Sequence, residues 1–380
     1  MNAADTKHVF VGLSGGVDSA VAALLLQRRG YRVTALFMKN WEEDDDRDYC
    51  AAAEDYRIAS GVCERLEIPL LGINFSAEYW DLVFSRFLSE LAAGRTPNPD
   101  VLCNREIKFR AFLDYARAKG ADLIATGHYA RVAHADGRYQ LLKGCDTNKD
   151  QSYFLYTLGQ RELARIEFPL GGLEKLQVRT LARQAGLPNY ARKDSTGICF
   201  IGERPFKAFL HRYLPRRPGE IRALTGETKG EHDGVMYYTI GQRHGLSIGG
   251  RGEPWFVADK DPARNILYVV QGHNHPALFS TALGADSVHW VAGSAPALPL
   301  ACRAKIRYRQ TEAACLIERG PADTLQLTFS HAQRAVTAGQ SVVFYRGDAC
   351  LGGGIITRAF RHKAALGVSS ARTAEPAAQF

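Results

Sequence analysis

The chain has 380 residues, 46% hydrophobic and 23% charged, which is the balance of a folded protein with room for two or three domains. No apolar run approaches the roughly 20 residues of a membrane span, and MNAADTKHVF runs into a first strand without a signal-peptide core, so a cytoplasmic protein is expected. The net charge of +8 suggests a polyanionic partner, while eight cysteines with no CxxC pairing exclude a disulfide scaffold and a structural zinc site.

In chain order, short apolar runs predict strands at Lys7–Leu13, Arg32–Met38, Leu70–Asn74 and Leu123–Thr126. Between them helices are predicted at Ser19–Arg29, Asp55–Leu66, Ala77–Ala93 and Glu106–Lys119, with a further one at Leu173–Ala185. This alternation predicts a doubly wound α/β domain with a parallel sheet, binding ligands at the carboxyl ends of its strands. HADGRYQLLKG (His134–Gly144) predicts a hairpin around Asp136-Gly137. LPRRPGE (Leu214–Glu220) marks a boundary, after which strands such as Val235–Thr239, Trp255–Ala258 and Ile266–Val270 alternate with turn residues. A small-residue loop is expected around Ala292–Leu300 and a disordered tail after His362. The expected division is 1–215 for the α/β domain, 216–280 for a central mainly-β domain, 281–362 for a final β-barrel and 363–380 for the tail.

Three stretches carry chemistry. LSGGVDS (Leu13–Ser19) lies between the first strand and the first helix, where Gly15 and Gly16 admit an anion to the backbone and Ser14 and Ser19 add hydroxyls. The lysine of the Walker A pattern is absent, and Asp18 would repel a bare phosphate, which suits it to capping the helix or meeting a magnesium ion. GRTPNPDVLCNREIKF sets Cys103 after a proline turn and just before a predicted helix, near Arg105 and Lys108. KDSTGICFIGERPFKAF sets Cys199 between Gly197 and Gly202, ahead of another predicted helix at Pro205–Tyr213 and close to Arg192 and Lys193. A thiol at a helix N-terminus among cations is shifted toward thiolate. By contrast, Cys63 falls inside a helix and Cys302, Cys315 and Cys350 in strand-like segments.

The acidic WEEDDDRD (Trp41–Asp48) means that the positive excess gathers elsewhere. In CRAKIRYRQ, Arg303, Lys305, Arg307 and Arg309 alternate with Ala304, Ile306 and Tyr308, which on a strand gives one cationic face roughly 20 Å long. HRYLPRR (His211–Arg217) is a second basic patch, and Phe109, Phe200 and Phe206 are aromatics near the cysteines better suited to the core than to stacking on bases.

SGGVDS matches the SGGxDS signature of the PP-loop ATP pyrophosphatases, which cut ATP between its α and β phosphates. Taken together and in order, SGGVDS, FMKNWEEDD, GRTPNPDVLCN, ATGHY, NKDQSYFLY and DSTGICFIGER resemble the tRNA-specific 2-thiouridylase family over about residues 7 to 362. That resemblance implies ATP, with magnesium, as co-substrate, and the wobble uridine of the Lys, Glu and Gln tRNAs as target. It implies a nucleotide site of Gly12, Leu13, Ser14, Gly15, Gly16, Val17, Asp18, Ser19, Met38 and Gly127. Asn98, Pro99 and Asp100 would meet the target base, with Asp100 handling a proton or orienting the base. Lys149, Asp150 and Gln151, together with Arg307 and Tyr308, would contact tRNA.

The resemblance also implies a persulfide on Cys199, delivered by a sulfur-relay protein or cysteine desulfurase. Cys103 would be the catalytic thiol, and a Cys103–Cys199 disulfide would remain after transfer. A monomer is expected, because one chain carries every part. The competing readings are an ATP-dependent amidotransferase or ligase acting on a small metabolite, a tRNA 4-thiouridine synthase, and a non-catalytic RNA-binding protein with a relic loop. The first needs neither the cysteine pair nor the basic β domain.

Overall fold

The computed structural model describes residues 6–42, 51–194 and 206–360. Its first seven strands are β1 (His8–Gly12), β2 (Arg32–Lys39), β3 (Leu70–Asn74), β4 (Leu123–Ala125), β5 (Ala130–Ala135), β6 (Arg138–Lys143) and β7 (Ile166–Glu167). Five of them form a parallel sheet in the order β3-β2-β1-β4-β7. Helices cover both faces of this sheet, which is why Val9, Phe10 and Val11 are consecutive apolar residues and all buried. The strand order reverses between β1 and β4. This topological switch point places the loops leaving those two strands side by side at the carboxyl edge. The two-residue β7 was not expected, since a strand so short carries no periodic signal.

Helix Val17–Arg28 follows β1. The predicted helix over 77–93 is a helical run over 76–92 with a wide π turn at Trp80–Phe84. The predicted helix Glu106–Lys119 begins earlier, at Pro99, and passes through a second π segment, Asn104–Ala111. Proline suits the first helical position, and the Asn98 side chain accepts the Asp100 N–H at 3.1 Å, so the apparent proline turn is the helix start itself.

The β5–β6 hairpin turns at Asp136 (φ 53°) and Gly137 (φ 71°), two left-handed residues as a type I′ turn requires. It does not join the parallel sheet. Its β6 pairs Leu141 and Leu142 with Cys350 and Ala349 of the final domain, so a hairpin from the first half extends the last sheet.

Beyond it, β8 (Gly219–Ala223), β9 (Thr228–His232), β10 (Trp255–Asp261) and β11 (Ile266–Gln271) form a four-stranded sheet in the order β10-β11-β8-β9. The expected strand Val235–Thr239 is instead a 3₁₀ turn, Val235–Tyr237. Gly234 (φ 141°) breaks the extended path there, and Val235 packs under the sheet rather than into it.

The last strands are β12 (Phe279–Trp290), β13 (Leu300–Lys305), β14 (Ala313–Arg319), β15 (Leu325–Arg334), β16 (Ser341–Arg346) and β17 (Ala349–Phe360). They run in the order β12-β15-β14-β13-β16-β17, and β12 also pairs with β17, which closes a six-stranded barrel. Leu283, Ile317, Leu327, Val342, Phe344 and Ile356 fill it. Among the described residues no helix is long and apolar enough to cross a membrane.

Where the three parts meet, Lys260 is largely buried and donates to the Tyr238 carbonyl at 2.8 Å. Burial lowers its ammonium to about 8. Between that value and 10.5 the unfolded chain holds a proton that the folded chain has lost, so this lysine's penalty on stability shrinks as pH rises through the window. Lys260→Met removes the dependence. The stability of the native chain relative to the variant should rise by on the order of 2 kcal/mol between pH 7 and pH 9.5, read by denaturant unfolding at both.

Candidate active site

The loop after β1 has the shape an anion needs. Gly15 adopts φ +76°, and a Cβ there would lie 2.9 Å from the Asp55 carbonyl oxygen. Asn189 Nδ2 and Arg192 Nη1 donate to the Gly15 carbonyl at 2.9 and 3.2 Å. Because the peptide is trans and planar, fixing that carbonyl outward turns the Gly16 N–H inward. Gly16 is the helix N-cap and no side chain caps the turn, so the amides of Val17, Asp18 and Ser19 keep their donor capacity at the positive end of the helix dipole. Ser14 and Ser19 hydroxyls lie 3.3 Å apart, and Ser19 Oγ donates to the Gly16 carbonyl at 3.0 Å.

The neighbouring loop, after β4, closes on the same turn. A Cβ on Gly127 would sit 2.7 Å from Ser19 N and 2.8 Å from the Asp18 carbonyl carbon, so only glycine permits this approach. Met38, at the end of β2, covers Gly12 so closely that a Cβ there would be 3.2 Å from its Cε. All ten expected nucleotide residues therefore gather at the switch point, and the cradle fits a nucleotide phosphate.

Asp18 has partners that the sequence did not announce. Lys175 Nζ donates to its two oxygens at 2.7 and 2.8 Å, and the Tyr129 hydroxyl donates at 2.9 Å. Burial beside this carboxylate pushes the Tyr129 phenol far above its usual range. Lys175 also reaches Asp194 Oδ1 at 2.7 Å, and Asp194 in turn takes Arg179 on Oδ1 at 2.7 Å and Lys149 on Oδ2 at 2.6 Å. Burial pushes the Asp194 carboxyl up, but hydrogen bonds from Lys149 and Lys175 outweigh it and hold the group at about 2. Asp194 is therefore ionised at any neutral pH. Among the described residues no cluster of three or more His, Cys, Asp or Glu could hold a resident metal. A magnesium ion that arrived on a nucleotide's phosphates would need only one or two carboxylates, and Asp18 is placed to serve.

Cys103 corrects the sequence reading. It stands at the end of the helical segment Pro99–Cys103, not ahead of a helix, past the residues whose amides lack intrahelical partners, and it is fully buried. Its nearby cation Arg105 is committed to Glu106, a buried carboxylate that takes Arg105 Nε and Arg110 Nη1, each at 2.9 Å. The segment is clamped from outside. Thr96 N donates to the Ala338 carbonyl at 2.9 Å, and Gln340 Nε2 to the Thr96 carbonyl at 2.8 Å. The barrel thus fixes the entry to Asn98, Pro99 and Asp100. Cys199 and Phe200 lie outside the described residues, as does the side chain of Phe206. Phe109 packs between His128 and Phe168 in the core.

Asp150 and Gln151 turn inward. Asp150 accepts from Gly144 N, Ser152 N and Ser152 Oγ, each at 3.1 Å, and from Lys305 at 3.4 Å, while Gln151 pairs with the Tyr129 backbone. Lys149 keeps its head partly exposed. The Tyr308 hydroxyl lies 3.5 Å from the Lys149 carbonyl, and its ring packs on Phe154 at 4.4 Å, so two segments expected to meet tRNA are neighbours. Asn104, beside Cys103, donates to the Phe154 carbonyl at 3.2 Å and joins them to the thiol segment.

The cationic row in CRAKIRYRQ does not form. β13 stops at Lys305 and the chain turns through 306–310. Lys305 faces Asp150, and Arg303 faces Glu312. One Arg307 nitrogen, Nη2, donates to the carbonyls of Ile240 (2.8 Å) and Ala335 (3.1 Å) and to Thr337 Oγ1 (3.0 Å), which ties the central domain to the barrel. Only Arg309 of the expected face after the strand remains exposed. Arg307→Ala should therefore cost about 2–4 kcal/mol of stability in denaturant unfolding, because three buried acceptors lose a charged donor. Arg309→Ala should leave stability within about 0.5 kcal/mol while lowering the salt slope of RNA binding by about one. In the second basic patch, Arg216 pairs with Asp233, and Arg212, Arg216 and Arg217 all stay exposed.

Three domain families match the chain in order: the tRNA methyl transferase HUP domain over residues 7–203, the tRNA methyl transferase PRC-barrel domain over 207–271 and the aminomethyltransferase beta-barrel domain over 280–356. Whole-length relatives are named for sulfur chemistry instead. The tRNA-specific 2-thiouridylase MnmA of Methylococcus capsulatus is 64% identical over 93% of this chain and 97% of its own length. Those of Nitrosomonas eutropha and Geobacillus thermodenitrificans are 60% and 56% identical, over 92% and 93% of this chain and 98% and 96% of theirs. A solved 4-thiouridine synthetase bound to RNA and ATP is 17% identical, covers 55% of this chain and 50% of its own, and superposes with a TM-score of 0.35. At 64% identity over 93% of its length, with the three domain families matched in order, the chain belongs to the tRNA-specific 2-thiouridylase family.

Proposed function

We propose that this chain replaces the C2 oxygen of a tRNA wobble uridine by sulfur, using ATP bound at the loop after β1 and the thiols of Cys103 and Cys199. The observation that carries this reading is the meeting of four sequence-distant motifs. Asp18 of the phosphate loop bonds Tyr129 of ATGHY, Tyr129 pairs with Gln151 of NKDQSYF, and Phe154 of that segment bonds Asn104 beside Cys103.

In the proposed sequence the C2 oxygen attacks the α phosphorus of ATP and pyrophosphate leaves to the amides around Gly15 and Gly16. Adenylation turns a poor leaving group into AMP. The terminal sulfur of a Cys199 persulfide attacks C2, and AMP departs with the former carbonyl oxygen. The Cys103 thiolate then attacks the Cys199 sulfur, which releases the 2-thiouridine and leaves a Cys103–Cys199 disulfide to be reduced by an external dithiol. Asn98 to Asp100 would orient the extruded base, at an unstacking cost of a few kcal/mol for a loop nucleotide. Magnesium would neutralise the triphosphate, with Asp18 as its protein carboxylate.

The proposed targets are the Lys, Glu and Gln tRNAs, the proposed sulfur source is a persulfide-carrying relay protein or cysteine desulfurase, and the working form is a cytoplasmic monomer. Mass spectrometry of tRNA nucleosides after incubation with ATP and a sulfur donor tests the reading. It expects 2-thiouridine derivatives at the wobble position; unmodified uridine, or 4-thiouridine in its place, would refute it.

A further inference from the structure

The network around Asp18 does more than hold the phosphate loop. Lys175 has three ammonium protons, and three carboxylate oxygens lie within 2.8 Å of it: both of Asp18 and Oδ1 of Asp194. Asp194 is equally committed, with Lys175 and Arg179 on one oxygen and Lys149 on the other. Lys175 is nearly buried, whereas Lys149 is about one-third exposed and belongs to the segment whose carbonyl meets Tyr308. Two carboxylates and three cations thus form a continuous path from the phosphate loop to the surface, in which all three Lys175 protons are used and Lys149 is the one cited donor on Asp194 Oδ2.

We propose that Lys175 and Asp194 are positioning residues that couple RNA docking to the nucleotide loop. The inference rests on the reading that this surface receives tRNA. When an RNA phosphate draws Lys149 away, Asp194 Oδ2 loses its donor. Asp194 then leans harder on Lys175 and Arg179, and Lys175 relaxes its hold on Asp18. The carboxylate beside the phosphate cradle is thereby freed when the substrate arrives. Linkage makes the effect reciprocal, so nucleotide occupancy must change RNA affinity by the same factor.

The test measures tRNA dissociation constants for the full chain, with and without saturating α,β-methylene-ATP and magnesium. The native protein should show a ratio of about 5-fold or more between the two conditions. Asp194→Asn should bring that ratio to within about 2-fold of unity, Lys149→Met should do the same, and Lys149→Arg, which keeps a donor, should restore it. Lys149→Met carries the test should Asp194→Asn fail to fold, because its side chain lies at the surface. A native ratio of one, or a native-sized ratio in Lys149→Met, overturns the coupling. A native protein that binds no tRNA overturns the proposed function as well, which separates the two failures.

Discussion

Replacing either Cys103 or Cys199 with serine should abolish tRNA thiolation, by about 10³-fold or more, while ATP still binds. A hydroxyl can neither carry a transferable sulfane sulfur nor close a disulfide, so no residual path remains through the altered residue. The two variants should fail at different steps. Cys199→Ser accepts no sulfur from the donor, whereas Cys103→Ser accepts it and holds it, visible as a persulfide on residue 199 by peptide mass spectrometry. Cys103 is buried among Val101, Ile107 and Phe109, so its serine variant also tests folding. Thiolation retained in either variant would contradict the two-thiol reading.

The second large effect is at the phosphate loop. Asp18→Ala is expected to slow tRNA-dependent pyrophosphate release by about 10²–10³-fold, the range for removing one preorganised electrostatic group. The physical reason is visible in its contacts. Without the carboxylate, the Tyr129 hydroxyl loses its acceptor, and Lys175, only 13% exposed, keeps Asp194 as its one ion-pair partner among the described residues. Asp18→Asn preserves the shape and should fail nearly as badly if charge is what matters. Pyrophosphate release at the native rate in the alanine variant would remove Asp18 from the nucleotide site.

The sheet and its loop were legible because their causes are local. Apolar runs at Val9–Val11 and Leu36–Phe37 are buried between helices, and Gly15-Gly16 between strand and helix marks a tight turn that needs the positive φ of Gly15, +76°. The hairpin at Asp136-Gly137 was legible for the same reason, although its pairing with β17 was not, since strand partners separated by two hundred positions leave no mark in a short window.

The polar network was hidden in a different way. Lys175 opens an ordinary amphipathic helix and Asp194 sits in an irregular stretch, and nothing in either neighbourhood distinguishes a buried ion pair from a solvated one. The alternation from Arg303 to Arg309 misled because it has the period of a strand, yet the chain turns after Lys305. Arg307 is held there by backbone carbonyls of two domains, a demand set by tertiary packing. At Cys103, prolines were read as a turn, when Pro99 with an Asn98 cap is equally a helix start.

The most direct measurement follows one oxygen atom. A tRNA carrying ¹⁸O at C2 of the wobble uridine is turned over with ATP and sulfur donor, and the products are weighed. If the base oxygen is adenylated beside Asp18 and displaced by sulfur, the label appears in AMP and the product is 2-thiouridine. Label found in water or pyrophosphate, with sulfur nonetheless incorporated, would mean that the carbonyl is never joined to the α phosphate.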